Sequence, residues 1–228
     1  MVDLSVIVPV LGDDQRLKSL LQSIAGRISE VIVVDGGKSE FVKEQCSLYG
    51  AKYLRHVASR GAQIAKGIEE SKNPLLWVLH ADAYDLDEPL CRLKEFVDSS
   101  EIIWGRFDVV MPELRWVPRM MNWRSRLTKI CTGDQGMFFS ASALSRAGGF
   151  PAQPLMEDVE CSRRLKRCTG ARYVACKERL GASDRRWISD GVRKTILKMW
   201  WYRLLYFFGE SPVKLYLSYY AKEQVDGE

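Results

Sequence analysis

The feature that most constrains this chain is a repeated pattern in its first eighty residues. Apolar runs at 4–10, 30–34, 52–57 and 75–79 are separated by stretches with helical spacing. Between the first two runs, Leu17, Leu20, Leu21 and Ile24 fall at i, i+3, i+4 and i+7, which marks a helix with one apolar face. Gly12-Asp13-Asp14 breaks the chain before it and offers an N-cap. Helices are also predicted over 39–49 and 61–71. Short apolar runs alternating with helices imply βαβ units and a parallel sheet covered on both faces.

After residue 100 the alternation loosens. Strands are predicted at 102–111, 137–139 and 173–176, and helices at 116–130 and 158–167. A long helix is expected over 191–208, stopped near Gly209. Ser211-Pro212 then supplies an N-cap and a first-turn proline for a last short helix. The expected architecture is therefore α/β: a mixed, mostly parallel sheet covered by helices, with a C-terminal helical extension. Its organisation is read as one unit over 1–190 and an extension over 191–228 packed on it.

Composition narrows the class. The chain has 228 residues, 46% hydrophobic and 28% charged. That excludes a collagen, a coiled coil or a disordered tail. Six cysteines form no C-x-x-C pair and there are two histidines, so a Cys/His zinc site is not expected. The start MVDLSVIVPV lacks the features of a signal peptide, and a cytoplasmic chain with free thiols is expected. Charge is uneven: residues 161–203 hold 13 Lys and Arg against 3 Asp and Glu. A basic segment on an acidic body suits an anionic partner (a phosphate, an anionic membrane or nucleic acid) and equally a solvated helix face.

In an open parallel sheet, ligands bind beyond the carboxyl ends of the strands. Here those ends read Pro9-Val10, Asp35-Gly36-Gly37 and His80-Ala81-Asp82. Two acids converging on one edge point to a metal–phosphate ligand. The dinucleotide-binding glycine pattern, the P-loop and the hydrolase G-x-S-x-G are all missing from the sequence. Further along, Glu157-Asp158-Val159-Glu160 opens a basic helix with more acid than capping needs. One of these carboxylates, held in a cleft, could take a proton from an attacking hydroxyl. Gly133-Asp134-Gln135-Gly136 sets polar side chains between glycines, and Arg185-Arg186-Trp187 sets two guanidinium groups beside an indole. Such forks match phosphate oxygens.

Taken in order, SVIVPV, EVIVVDGG, RGAQIAKG, LWVLHADA, WGRFDV, GDQGMFF, GGFPAQPLMEDVECSRRLKR and DRRW resemble glycosyltransferase family 2. Within it they are most similar to the radical-SAM/selenodomain-associated transferase 2 subgroup. The resemblance implies a GT-A fold, a nucleotide-diphosphate sugar donor (a UDP-sugar first), and a Mg or Mn divalent cation. It implies Pro9 and Val10 beside the base, Asp35 hydrogen-bonded to the base, Arg60 near the donor, and Asp82 meeting metal and diphosphate. His80 replaces the first acid of the family's D-x-D-like motif. Asp158 becomes the general base, and Asp134, Gln135 and Glu157 face the acceptor. Arg185, Arg186 and Trp187 become the arginine–tryptophan element near the diphosphate. The sequence departs from the family pattern at Gly12-Asp13, at Lys38-Ser39-Glu40 and at Ala65.

The expected activity is thus inverting sugar transfer to a hydroxyl or carboxyl acceptor, with lipid-like acceptors among those considered. Two alternatives stand beside it. A sugar-1-phosphate nucleotidyltransferase has a related sheet but a basic glycine-rich loop after strand one, where this chain has Gly12-Asp13-Asp14. A non-catalytic membrane-associated binding protein would use the basic third and leave Asp35, Asp82 and Asp158 without a shared purpose. No nucleic-acid partner is expected. The aromatic 191–208 segment is read first as a docked helix or a homodimer contact, because such stripes are usually packing. Peripheral contact with the cytoplasmic face of a membrane is the second reading, since basic residues beside Trp and Phe suit an interfacial helix.

Overall fold

The computed structural model describes residues 1–12, 15–99, 101–168 and 170–225, with the backbone alone at 186 and 220–225. The chain runs β1 (Val2–Val10), α1 (Gln15–Ile24), β2 (Ile28–Asp35), α2 (Glu40–Tyr49), β3 (Lys52–Arg55), α3 (Arg60–Glu69), β4 (Leu75–Val78) and α4 (Asp87–Val97). It continues through β5 (Ile103–Val110), α5 (Trp116–Thr128), a 3-10 turn at Gly133–Gln135, β6 (Phe138–Ser140), α6 (Ala141–Arg146) and α7 (Glu157–Arg167). The last elements are β7 (Arg172–Gly181), α8 (Arg185–Ser189), α9 (Val192–Phe207) and α10 (Pro212–Val225).

Among the described residues, seven strands join one sheet in the order β3-β2-β1-β4-β6-β5-β7. Only β6 runs against the rest, pairing antiparallel with both β4 and β5. The apolar runs alternate between two helix layers, as the period of two requires. Val6, Val8, Leu75 and Trp77 pack with α1, α2 and α4 on one face. Ile7, Leu76 and Val78 pack with α3, α6 and α7 on the other. Each such buried side chain is worth about 1.5–3 kcal/mol of transfer free energy.

The predicted helix at Leu17, Leu20, Leu21 and Ile24 is α1, and those four residues are its buried ones. Its expected N-cap at Asp13-Asp14 lies outside the described residues. The Ser39 side chain caps α2 by accepting from the Val42 N–H. Three helices were not expected from the sequence: α4, α6 and α8. β7 also extends five residues beyond the predicted 173–176, through Lys177, Glu178 and Arg179, because register with β5 carries the edge strand onward.

Two consequences of topology place the site. The carboxyl ends of β1 and β4 meet at one edge of the sheet. The reversed β6 brings its own beginning, and so the Gly133–Gln135 turn, to that same edge; the Val78 N–H donates to the Met137 carbonyl at 2.8 Å.

Candidate active site

Beyond this edge lie two adjoining cavities. The larger, about 570 Å³, takes part of its wall from Arg60, His80, Asp134, Asp158 and Trp187. The smaller, about 180 Å³, is lined by Arg16, Ala81 and Asp82. Pro9, Val10, Leu11, Arg60 and His80 line both.

The floor is built by backbone contacts. Gln63 on α3 is buried, and its Nε2 donates to the carbonyls of Val10 and Val34 at 2.7 Å each. It thereby ties the ends of β1 and β2 together. At the first turn of α3, a Cβ on Gly61 would strike the carbonyls of Pro151 and Gln153. Only glycine lets α3 approach the 151–153 segment closely, and that approach sets Arg60 against the start of α7.

There the Arg60 Nε donates to the Glu157 carboxylate, whose side chain is only 2% exposed. Burial pushes the Glu157 carboxyl up; Arg60 pulls it back and Asp158 pushes it up again, leaving it raised. Burial alone would lower the Arg60 guanidinium, but the charges of Glu157 and Asp158 outweigh it and raise it. The second Glu157 oxygen is buried with no hydrogen-bond partner.

Asp158, the next residue, projects into the larger cavity. Its Oδ2 accepts from the Gly133 N–H at 3.1 Å and its Oδ1 from its neighbour Val159 at 2.7 Å. The carboxylate is thus held in one orientation at the N-terminus of α7, where partial positive charge favours an anion. A Cβ on Gly133 would collide with the His80 ring, so this glycine is required for the turn to reach both groups. His80 Nδ1 lies 3.1 Å from Asp134 Oδ1. Burial pushes the His80 imidazole down, yet the hydrogen bond and charge of Asp134 prevail and raise it.

Asp82 is partly exposed in the smaller cavity, 3.5 Å from Arg16 Nη1. Among the described residues, no group of three or more His, Cys, Asp or Glu is placed to hold a metal ion. A lone carboxylate does not fit a cation bound by protein alone. It does fit a hard cation shared with a ligand's phosphates, which is held through one or two carboxylates.

Of the predicted site residues, Pro9, Val10, Arg60, Asp134, Asp158 and Trp187 line the larger cavity, and Asp82 the smaller. Glu157 stands directly behind them. Among the predicted residues, Asp35, Gln135 and Arg185 line neither cavity. Asp35 is fully buried and lines neither cavity; its carboxylate accepts from the Gly37 and Ser39 N–H groups and from the Tyr53 hydroxyl. It holds the turn after β2, and burial together with this bond lifts Tyr53 to about 12. Gln135 is also fully buried. Its amide binds Asn122, Ser125 and Thr132, so it locks the turn to α5. Arg185 is exposed and lines neither cavity. The Arg186 side chain lies outside the described residues.

Sequence reasoning missed Arg16, Gln63 and Arg124. Arg124 lines the larger cavity, and burial lowers its guanidinium despite the charge of Asp158. It also missed that α5, α9 and α10 supply an aromatic wall there, through Trp116, Trp123, Trp200 and Tyr219 among others.

Seven mostly parallel strands between helix layers, with acids and arginines at the carboxyl edge, define the GT-A fold of nucleotide-sugar transferases. The family model Glycosyl transferase family 2 matches residues 5–147, and the chain belongs to that family. Among curated proteins none matches it. Solved structures similar to it include Staphylococcus aureus TarS 1-349, at 17% identity and a TM-score of 0.64, covering 79% of this chain and 60% of that one. The Pyrobaculum calidifontis mannosyltransferase PcManGT in complex with GDP-Man and Mn2+ is 18% identical, with a TM-score of 0.60, covering 78% and 56%. Mycobacterium tuberculosis glucosyl-3-phosphoglycerate synthase, solved with Mn2+ and UDP, is 16% identical, with a TM-score of 0.51, covering 78% and 70%. The chain thus spans less than two thirds of the length of TarS 1-349 and of PcManGT.

Proposed function

We propose that the chain is an inverting glycosyltransferase that moves a sugar from a nucleotide-diphosphate sugar to a hydroxyl or carboxyl oxygen. The observation that carries this reading is the pair of adjoining cavities, with Asp158 in one, Asp82 in the other, and Arg60 and His80 in the wall between. The donor diphosphate lies in the smaller cavity, facing the guanidinium groups of Arg16 and Arg60. The acceptor oxygen enters from the larger cavity and attacks the anomeric carbon on the side opposite the diphosphate. The bond to the diphosphate breaks, its electron pair leaves with the nucleoside diphosphate, and a hydroxyl acceptor gives its proton to Asp158. Each Asp158 oxygen already accepts one backbone N–H and keeps a further acceptor site for that proton. The fixed arginines stabilise charge where it grows.

A divalent cation, Mg or Mn, would be held by Asp82 together with the donor's phosphates and would act as a Lewis acid on the leaving group. Solved relatives in complex with Mn2+ support this assignment. Similar structures holding UDP and UDP-GlcNAc support a UDP-sugar as the donor. The order of the HAD, GDQG, MED and RRW segments supports the radical-SAM/selenodomain-associated transferase 2 subgroup. Residues 191–228 then act as an extension of the 1–190 transferase unit, with α9 and α10 closing its acceptor side.

Asp158→Asn tests the assignment. The variant should lose about 10²–10⁴ in transfer rate while binding nucleotide as the parent does. Transfer at the parent's rate would remove Asp158 from the mechanism.

A further inference from the structure

The wall of the larger cavity continues onto the outside of the molecule. On α5, Trp116, Met120, Trp123 and Leu127 recur at i, i+4, i+7 and i+11, and all four are exposed, Trp123 by 65%. On α9, Leu197, Trp200, Trp201, Leu204 and Phe207, with the C-cap Phe208 at 76% exposure, form a second exposed stripe. The opposite face of α9 is apolar too: Ile196, Met199 and Tyr202 line the cavity. Val117 and Met121 of α5 share one apolar cluster with Val192 and Ile196 of α9. Trp116, Met120, Trp123 and Trp200 belong both to the cavity wall and to the exposed stripes. A patch of this kind on a soluble protein marks a docking site.

Charge decides what docks there. Arg115, Arg119 and Lys129 at α5 and Arg193 and Lys194 on α9 are exposed, while Arg126 pairs with Asp108 and Arg124 and Arg203 line the cavity; residues 115–129 and 192–208 hold no acid. A symmetric dimer through this face would bring two copies of the same cationic patch together, and like charges across an interface cost affinity. An anionic bilayer offers the opposite sign, and Trp with Phe beside basic residues is the composition that settles at its surface. No helix among the described residues is long and apolar enough to cross a membrane, so the contact is peripheral. Inside the cavity wall, the Nε atoms of Arg124 and Arg203 are buried without a hydrogen-bond partner. They are suited to an oxygen-rich head group among otherwise apolar surroundings.

We infer that α5 and α9 rest on an anionic membrane surface and that the larger cavity takes an amphiphile from it: apolar chain between the two helices, polar head towards Arg124, Arg203 and Asp158. That this amphiphile is the sugar acceptor rests on the transferase reading above; the docking itself does not.

The test uses the full chain and vesicles of phosphatidylcholine, with and without phosphatidylglycerol, whose acyl chains carry bromine to quench tryptophan. The protein should float with the anionic vesicles and lose tryptophan emission, and it should do neither with the neutral ones. The variant Leu127→Glu/Trp201→Glu/Phe208→Glu changes exposed residues that line neither cavity. It should stay at the bottom of the gradient while binding UDP with Mn2+ as the parent does. The inference is overturned if the parent stays at the bottom, if the variant floats equally well, or if the parent runs as a dimer that the variant splits. Flotation without any nucleotide binding would keep the docking and remove the transferase reading.

Discussion

Replacing Arg60 by Met separates what its charge does from what its stem fills. The partner, Glu157, is almost completely buried, and a second carboxylate, Asp158, follows it. Removing one member of a buried pair typically costs 3–5 kcal/mol. The Arg60 side chain is 40% exposed, so solvent screens part of the interaction; a cost of about 2 kcal/mol is the discounted expectation. For a chain of this size that is about 4–8 °C in Tm. The pH dependence is the sharper signature. Burial already raises the Glu157 carboxyl above its usual 4.5, and Arg60 is what holds it down. Without Arg60 the folded-state value climbs further. A raised carboxyl contributes stability that is fully present below its unfolded value and lost as pH rises through its folded value. The Tm gap between parent and variant should therefore be small at about pH 4.5 and widen towards about pH 8. Thermal melts at a series of pH values measure this directly. A gap that is constant with pH, or largest in acid, would refute the account of the Arg60–Glu157 pair.

Gln63→Leu removes both hydrogen bonds that tie the ends of β1 and β2; a loss of about 2 kcal/mol is expected, read as a lower Tm with weaker UDP binding, and unchanged melts would contradict it. Glu70 is held down to about 2 by hydrogen bonds from Lys52 and Lys66 and by their charges. Its contribution is present above the usual 4.5 and lost as pH falls towards about 2, so Glu70→Gln should narrow the parent's acid-side fall in Tm, and identical acid profiles would contradict it.

The sheet was largely legible because burial on both faces writes strands as continuous apolar runs, as in β1, β2 and β4. The missed α4 had its signal in the sequence: Asp87 and Glu88 in the first turn, then Leu90, Leu93 and Phe96 on one face. The polar half of β7 had none, since pairing with β5 decides it. Asp82 and Asp158 could be placed from strand and helix ends alone. Gln135 could not, because a polar residue between glycines reads as exposed loop until Asn122 and Ser125 close over it. Asp35 shows a related limit: its place at the strand end is legible, but the donors that hold its carboxylate come from the following turn and from Tyr53. The aromatic stripe of α9 was read as packing. Spacing alone cannot tell a stripe that faces a core from one that faces outward, and here α9 is apolar on both sides.

The central claim is that Asp82 and a nucleoside diphosphate hold one cation between them on the donor side of Asp158. Calorimetric titration of Mn2+ with and without UDP tests it most directly. The account predicts no binding of Mn2+ to the protein alone, clear binding once UDP is present, and loss of that dependence in Asp82→Ala. Mn2+ bound equally well without nucleotide, or binding unchanged in Asp82→Ala, would contradict it.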